Sequence, residues 1–243
     1  MGKLIVFCSG KGGVGKSTVA AAFAVAATHL GFKTLIIETD SGLRCLDVML
    51  DVSDRLVFDL FDVVDAGRDL ADAVVSCDNA DRLHLLSAPV NKYEVDRAKL
   101  MRLACEQTAA YDYVLIDCPA GIDKELMEIL PPQAGVMIVT NAGEIPLRDA
   151  QGLRRTIAAK TDAPCFMLLN RFCLRDIKKG RAVGIDDAMD KTGLRLAGVI
   201  PEDKAVWNIS GRRFMKSKAG KALARIVKRM EGENVPLPKV KKI

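Results

Sequence analysis

Long hydrophobic runs are missing from this sequence. No stretch approaches the roughly 20 consecutive apolar residues that a helix needs to cross a bilayer. Aromatic residues make up 5% of the chain, with one tryptophan, while 49% is hydrophobic, so the core must be aliphatic and alanine-rich. Histidine occurs only at His29 and His84, which are far apart and lack zinc spacing. His29 ends a helix pattern, where a cation suits the dipole, and His84 lies in a strand-like run; both read as structural. The seven cysteines (8, 45, 77, 105, 118, 165, 173) are scattered, odd in number and never form C-x-x-C. That usage fits reduced cytosolic thiols rather than a disulfide framework. Met1-Gly2-Lys3-Leu4 runs straight into an apolar strand pattern, leaving no room for a signal peptide. Val6 stands where a myristoylation signal wants Ser or Thr.

What the chain does have is glycine, concentrated in one place. Ser9-Gly10-Lys11-Gly12-Gly13-Val14-Gly15-Lys16-Ser17-Thr18 satisfies the phosphate-loop pattern G-x-x-x-x-G-K-[ST], with Gly10, Gly15, Lys16 and Ser17 on the fixed positions. The β-prone run Lys3–Cys8 precedes it, and an Ala- and Val-rich segment at helical spacing, 17–29, follows. A loop between strand and helix aims backbone N–H groups and the positive end of the helix dipole at an anion. Gly10, Gly12, Gly13 and Gly15 let the main chain curl around phosphate oxygens without side-chain clash, and Val14 and Thr18 complete the cradle. Lys16 can reach the β- and γ-phosphates, and the Ser17 hydroxyl can ligate Mg²⁺. A mere turn with two surface lysines would not need the flanking strand and helix. The segment therefore predicts binding of a nucleoside triphosphate. Lys11 exceeds the general pattern. A second ammonium is most useful if it reaches the γ-phosphate of a neighbouring subunit's nucleotide, in trans; the bland alternative is a solvated loop lysine.

Apolar β-prone runs recur at 4–8, 34–37, 83–86, 114–116, 136–140, 166–169 and 196–200. Between most of them lie segments of helical periodicity, at 57–64, 97–108, 123–130, 147–159 and 185–191. This alternation predicts an α/β protein with the three-layer phosphate-loop NTPase fold, a mostly parallel central sheet with helices on both faces. Residues 1–232 are expected to form that one domain, and 233–243 a short basic, flexible tail. Ligand should bind beyond the carboxyl ends of the strands.

Two carboxylates stand where such a site needs them. Asp117 ends the run Tyr113-Val114-Leu115-Ile116 and should hold Mg²⁺ directly or through water. Gly121, in the following Cys118-Pro119-Ala120-Gly121 turn, could sense the γ-phosphate through its N–H. Asp40 follows the second strand and is the candidate for orienting the attacking water. Asp47 reads as a local cap or turn residue, and Glu38 as the partner of a nearby base. Strand-end aspartates are common N-caps, so each gains weight only together with the loop.

The loop K-G-G-V-G-K-S resembles the deviant phosphate loop of the MinD/ParA family of dimerising ATPases, in which the extra lysine crosses the dimer interface. Asp40-Ser41-Gly42-Leu43-Arg44-Cys45-Leu46-Asp47 is similar to the family's switch segment D-x-G-L-R-N-L-D, with Cys45 in place of Asn. Asp117-Cys118-Pro119-Ala120-Gly121-Ile122 matches D-[SC]-P-A-G-I. Ala142–Asp149 is similar to N-P-E-x-x-x-x-R-D, keeping Arg148 and Asp149 without the Pro. Asn170-Arg171 stands where the family contacts adenine, and Val199-Ile200-Pro201-Glu202-Asp203 matches V-I-P-E-D near the base. The match covers residues 3 to 231 and favours the MinD branch. It implies an ATPase with ATP and Mg²⁺ as ligands that forms an ATP-dependent homodimer, hydrolyses slowly until a partner stimulates it, and regulates the placement of the division septum. Lys11, Lys16 and Asp40 would carry catalysis, Ser17 and Asp117 the metal, and Asn170, Arg171, Pro201 and Asp203 the base. The resemblance places the protein in the cytoplasm, peripherally on the inner face of the cell membrane.

The pattern breaks at the C-terminus. Residues 233–243 are too short, too Pro-rich and too poor in large apolar side chains for a membrane-inserting helix. Three tail lysines could graze anionic lipid at about 1 kcal/mol each. In the last helix Lys218, Lys221, Arg225 and Lys228 share one face, and Ala219, Leu223, Ile226 and Met230 the other. This is either a terminal helix packed on the sheet or, with Arg212, Arg213, Lys216 and a net charge of +5, a patch for DNA phosphates or anionic lipid. Arg171, Arg175, Lys178, Lys179 and Arg181 form a second basic cluster. The alternative function is a ParA-like DNA-binding partition or cargo-positioning ATPase. A metal-cluster carrier would need paired cysteines that the chain lacks, and a binding scaffold without hydrolysis would follow if Cys45 disables the switch.

Overall fold

Side chains of the first strand, β1 (Lys3–Cys8), point alternately to two cores, as strand geometry requires. Leu4, Val6 and Cys8 enter one hydrophobic cluster, while Ile5 and Phe7 enter the other. The computed structural model describes all residues except Leu43, 78–81, Lys92, Ile122, Arg212 and 238–243. Leu43 of the switch segment, Ile122, Arg212 of the basic patch and the tail lysines thus lie outside the described residues.

After β1 come α1 (Lys16–His29), β2 (Thr34–Glu38) and three short helices, α2 (Leu46–Met49), α3 (Leu60–Val64) and α4 (Leu70–Ala73). Next are β3 (Val75–Ser76), β4 (Leu83–Leu86), α5 (Arg97–Gln107), β5 (Tyr113–Asp117), α6 (Lys124–Glu128), β6 (Gly135–Thr140) and α7 (Glu144–Ala158). The chain continues through β7 (Cys165–Phe172), α8 (Leu174–Lys178), α9 (Ile185–Thr192), β8 (Arg195–Pro201) and α10 (Lys218–Met230). The strands form one eight-stranded sheet in the order β3-β4-β2-β5-β1-β6-β7-β8. Every pairing is parallel except β3 with β4. Helices cover both faces: α5, α6 and α7 contribute to the core that holds Leu4, and α1 and α10 to the core that holds Phe7. This is the three-layer architecture expected from the alternating pattern. β1 lies between β5 and β6, where the direction of the connections reverses, and ligand crevices form at that place in such sheets.

α1 is buried on nearly every side. Val19 to Ala24, Ala26 and Ala27 are all at most 2% exposed. Its alanines let the helix lie close to the sheet while α10 packs on its other side, as an all-apolar helix must. The few aromatics gather beneath it, Phe7 edge-on to Phe23 at 5.7 Å and Phe23 to Tyr113 at 5.6 Å. α10 buries Ala219, Leu223 and Ile226 against this layer, and each large side chain contributes about 1.5–3 kcal/mol. The expected apolar stripe therefore packs on the sheet. Arg229 also turns inward, donating to the Ala197 carbonyl at 3.1 Å and to the Val235 carbonyl at 2.5 Å.

Several boundaries moved for local reasons. The helix expected at 57–64 begins at Leu60 because Asp59 caps it, accepting from the Phe61 amide at 2.9 Å while Asp62 accepts from the Asp59 amide at 3.0 Å. α7 begins at Glu144, earlier than expected, since Pro146 falls in the first turn, where its missing N–H leaves no bond unmade. β7 runs beyond the expected 166–169 and carries Asn170 within it. Its register shifts between Leu169 and Phe172, and Arg171 there has φ of 50°. Among the described residues no helix is long and apolar enough to cross a membrane.

At the amino end of the sheet Glu231 closes the fold. It accepts from the Tyr113 hydroxyl and pairs with Lys3 Nζ at 2.6 Å. Partial burial opposes its ionisation, but the bonds from Lys3 and Tyr113 outweigh that and hold its carboxyl below the usual range. A depressed carboxylate stabilises the fold above its unfolded pKa, and the contribution disappears as pH falls through the folded value. Glu231→Gln should therefore lower stability by about 1–2 kcal/mol at neutral pH, and the difference from the parent should shrink in acid, as read by urea unfolding across pH.

Candidate functional site

The loop between β1 and α1 is held open by close backbone approach. A Cβ on Gly10 would lie 2.6 Å from the Asp149 carbonyl oxygen of α7. A Cβ on Gly15 would lie 2.5 Å from Asn170 Nδ2, and Gly15 has φ of +90°, a conformation that side chains disfavour. Gly13 also turns left-handed, at +83°, while Gly12 faces Ala120 at 3.9 Å. Asn170 Nδ2 donates to the Val14 carbonyl at 2.9 Å. The Asn141 amide, oriented to suit its neighbours, donates to the same carbonyl at 3.3 Å and to that of Asn170 at 3.2 Å. β6 and β7 thus clamp the loop from one side.

From the other side comes Asp117, the last residue of β5. Lys16 Nζ donates to Asp117 Oδ1 at 2.6 Å and to Ser17 Oγ at 3.0 Å. Lys16 is 7% exposed and the aspartate 0%. Asp117 Oδ2 is buried with no hydrogen-bond partner. Burial raises the Asp117 carboxyl above its usual range, opposed by the charge of Lys16 and by hydrogen bonds from Lys16 and Ser17. A carboxylate with one oxygen unmatched beside a serine hydroxyl is a donor set of the kind a hard cation takes, so Ser17 and Asp117 fit Mg²⁺.

Asp40 follows β2 close enough for its charge to raise Asp117 further. Thr39 fixes this approach, donating from its N–H and from Oγ1 to the Asp117 carbonyl, each at 3.0 Å. Glu38 is expected to pair with a base, and no such pair is found among the described residues. Its buried carboxylate accepts from the amides of Cys45 at 2.6 Å and Leu46 at 3.1 Å, where α2 begins. The unpaired amides there offered it bonds that no side-chain cation did. The Cys45 thiol is pushed up to about 12 by burial and by the charge of Glu38, so it stays protonated. Asp47 is in α2, paired with Arg44 at 3.2 Å. The Gly121 N–H, expected to sense phosphate, donates to the Ser9 carbonyl at 2.9 Å and is engaged with the loop itself. Lys11 is exposed at the loop tip, with no ion pair found among the described residues.

Beside the loop a cavity of about 620 Å³ is lined by Gly15, Thr18, Asn170, Arg171, Pro201 and Asp203, with Met49 and Trp207. All four residues expected near the base meet there. Asp203, however, turns its carboxylate to the amides of Ala205 at 2.9 Å and Ala219 at 3.1 Å, capping the turn that follows and steadying α10. A larger cleft of about 800 Å³ runs past Pro119 and Ala120. Asp65, Glu94, Asp96, Asp123 and Glu125 line it, a poor setting for phosphates. Thr39, Asn141 and Trp207 were missed from sequence. Glu38 carried a visible signal, an acid ending an otherwise apolar strand, and so did Trp207, the only tryptophan.

Breaking the central pair should be costly. Lys16→Met strands a buried carboxylate and should destabilise the ligand-free protein by about 3 kcal/mol, which adding Asp117→Asn should largely reverse. Urea unfolding of the double-mutant cycle measures this, and simple additivity of the two losses would show that the groups are uncoupled.

Similarity to known proteins runs along nearly the whole chain. The CobQ/CobB/MinD/ParA nucleotide binding domain profile matches residues 5–213. Septum site-determining protein MinD of Bacillus subtilis is 31% identical over 246 residues, covering 98% of this chain and 92% of that protein. Its counterpart from Synechocystis is 30% identical over 244 residues, covering 97% and 92%. Among solved structures, the MinC:MinD cell division complex of Aquifex aeolicus superposes with a TM-score of 0.87 at 30% identity, covering 98% of this chain and 99% of that one. MinD of Pyrococcus horikoshii, complexed with Mg-ADP, gives 0.80 at 28% identity, covering 97% and 100%. With a matching profile over most of its length and MinD relatives at this identity, the chain belongs to the CobQ/CobB/MinD/ParA nucleotide-binding family.

Proposed function

We propose that this protein is a MinD-type ATPase, an ATP-dependently dimerising switch that takes part in placing the division septum. The observation that carries this is the pairing of a buried Lys16–Asp117 ion pair under the loop with an exposed second lysine, Lys11, at its tip. With no ion pair found among the described residues, a lysine at that position is placed to reach across to a second copy.

The reaction converts ATP and water to ADP and phosphate. Ser17 and Asp117 would hold Mg²⁺, which neutralises charge on the β- and γ-phosphate oxygens. Lys16 leaves Asp117 for the phosphates, and the partner subunit's Lys11 spreads the charge that develops on the γ-phosphoryl group. Asp40, outside the ion pair, orients the attacking water. Positioning and electrostatics carry such chemistry, with no covalent step for the protein. Because an Aquifex MinD is solved with MinC, the stimulating or targeted partner is taken to be a division-site regulator.

Membrane contact, on this reading, is weak and peripheral, through basic surfaces rather than an inserted helix. One observation favours a second, ParA-like reading: Arg175, Lys178, Lys179 and Arg181 are all exposed around α8, and only Arg181 has an acidic neighbour among the described residues, Asp176 at 3.9 Å. Co-sedimentation with anionic vesicles against retention on duplex DNA, each with ATP and with ADP, separates the two.

The ATPase reading itself is tested by phosphate release and sedimentation velocity. Mg-ATP but not Mg-ADP should drive dimers. Lys11→Ala should lose both dimers and turnover, and Asp40→Ala should keep dimers while turnover falls at least about a hundredfold. A Lys11→Ala protein that dimerises and turns over at the parental rate would refute the trans assignment.

A further inference from the structure

Trp207 is the only tryptophan of the chain, and it is 89% exposed. Its exposure does not come from a loose segment. The turn Lys204–Asn208 is capped by Asp203, Val206 packs partly buried against the α1 and α10 layer, and Ile209 is 2% exposed. The backbone is therefore anchored on both sides of a large aromatic ring that is left in water, where an indole ordinarily buries most of its area.

The ring stands on the lining of the 620 Å³ cavity. Val19 and Ala22 of α1, Ile200 of β8 and Leu223 of α10 give that cavity apolar walls. Gly15 and Thr18 join it to the phosphate loop, and Arg171 and Lys204 stand among its polar lining. A ligand whose phosphates lie on the loop can extend its flat, heteroaromatic end into this cavity, whose apolar walls suit a ring better than the charged cleft past Pro119 and Ala120.

We propose that Trp207 stacks on the base of the bound nucleotide and closes the solvent side of this cavity. The proposal rests on the reading that the base occupies the cavity and adds a residue that the nucleotide-binding pattern does not contain. Because every base has a π-face, stacking tolerates the exchange of one purine for another, and the larger purine surface gains more than a pyrimidine. Trp207 thus favours purine over pyrimidine nucleotides and leaves the choice between purines to other groups. Met49 of α2 lines the same cavity, so a stacked base also touches the helix whose first amides Glu38 holds.

Emission from the single tryptophan reads this directly in the full chain. Saturating Mg-ATP should quench or shift it, while Mg-tripolyphosphate, which fills the loop without a base, should bind and leave it unchanged. Trp207→Ala should weaken ATP about tenfold, the scale of one base–aromatic stack, and Trp207→Phe should restore most of the loss. Tripolyphosphate affinity should be equal in all three proteins. Unchanged emission at saturating ATP, an equal change with tripolyphosphate, or parental ATP affinity in Trp207→Ala would each overturn the proposal. Photolabelling with 8-azido-ATP separates the two failures. A label on residues that line the cavity, with an indifferent tryptophan, removes only Trp207's role, whereas a label confined to residues outside that lining removes the base from this cavity altogether.

Discussion

Lys16 and Asp117 form an ion pair from which water is almost wholly excluded, and the rest of the site is arranged around it. Taking two charges out of water costs several kcal/mol per ion, and their attraction repays that only when the remaining hydrogen-bonding capacity is filled. Here it is not filled: Asp117 Oδ2 has no partner. The ligand-free site is therefore held in a partly satisfied state by β1 and β5, which lie side by side with Phe7 opposite Asp117. An anion that draws Lys16 away, together with a cation held by Ser17 and Asp117, would supply partners for these groups.

That state survives because the backbone around it cannot relax. Gly10 is pressed on the α7 main chain, Gly15 on Asn170, and the Val14 carbonyl is tied to β7. α1 cannot withdraw either, because alanines fit it between the sheet and α10. An alanine-rich helix leaves room for few rings beside it, and Phe7, Phe23 and Tyr113 occupy that space together. The packing of the middle layer is thus what positions the lysine.

Much of this was legible in the residues. The strands read as apolar runs because they are buried on both faces, and the loop read from its glycines. What escaped is local and short. β3 is two residues long and α2 and α4 four each, too brief for any periodicity to show. Glu38 reads as the partner of a nearby base, but its carboxylate accepts from backbone amides seven and eight residues on, which no side-chain pattern records. Asn170 was marked for the base. It lines the cavity with the other residues expected near the base, and its amide also bonds to the loop, a contact that its place in the chain does not announce. Trp207 was passed over because composition made it a rarity rather than a position. Its meaning came only with the cavity beside it.

Charge is where sequence and structure diverge most usefully. The basic residues of α10 read either as the solvated face of a packed helix or as an anion patch, and the helix does lie on the sheet, with its charges divided. Arg229 is half-buried and bonded to carbonyls, and Lys228 is paired with Glu233 at 3.5 Å. Around α8 the opposite holds, with short helical geometry pushing Arg175, Lys178 and Lys179 outward. A surface that draws anions by long-range attraction is set by charges left unpaired and exposed, not by the number in the chain. Exposed cations thus stand at both places, Arg213, Lys216, Lys218 and Lys221 around the start of the terminal helix and Arg175, Lys178 and Lys179 around α8, directly after the strand that carries Asn170 and Arg171. The cations around α8 follow within a few residues of Asn170 and Arg171 on the cavity lining, so an anion drawn to them would lie close along the chain to that cavity.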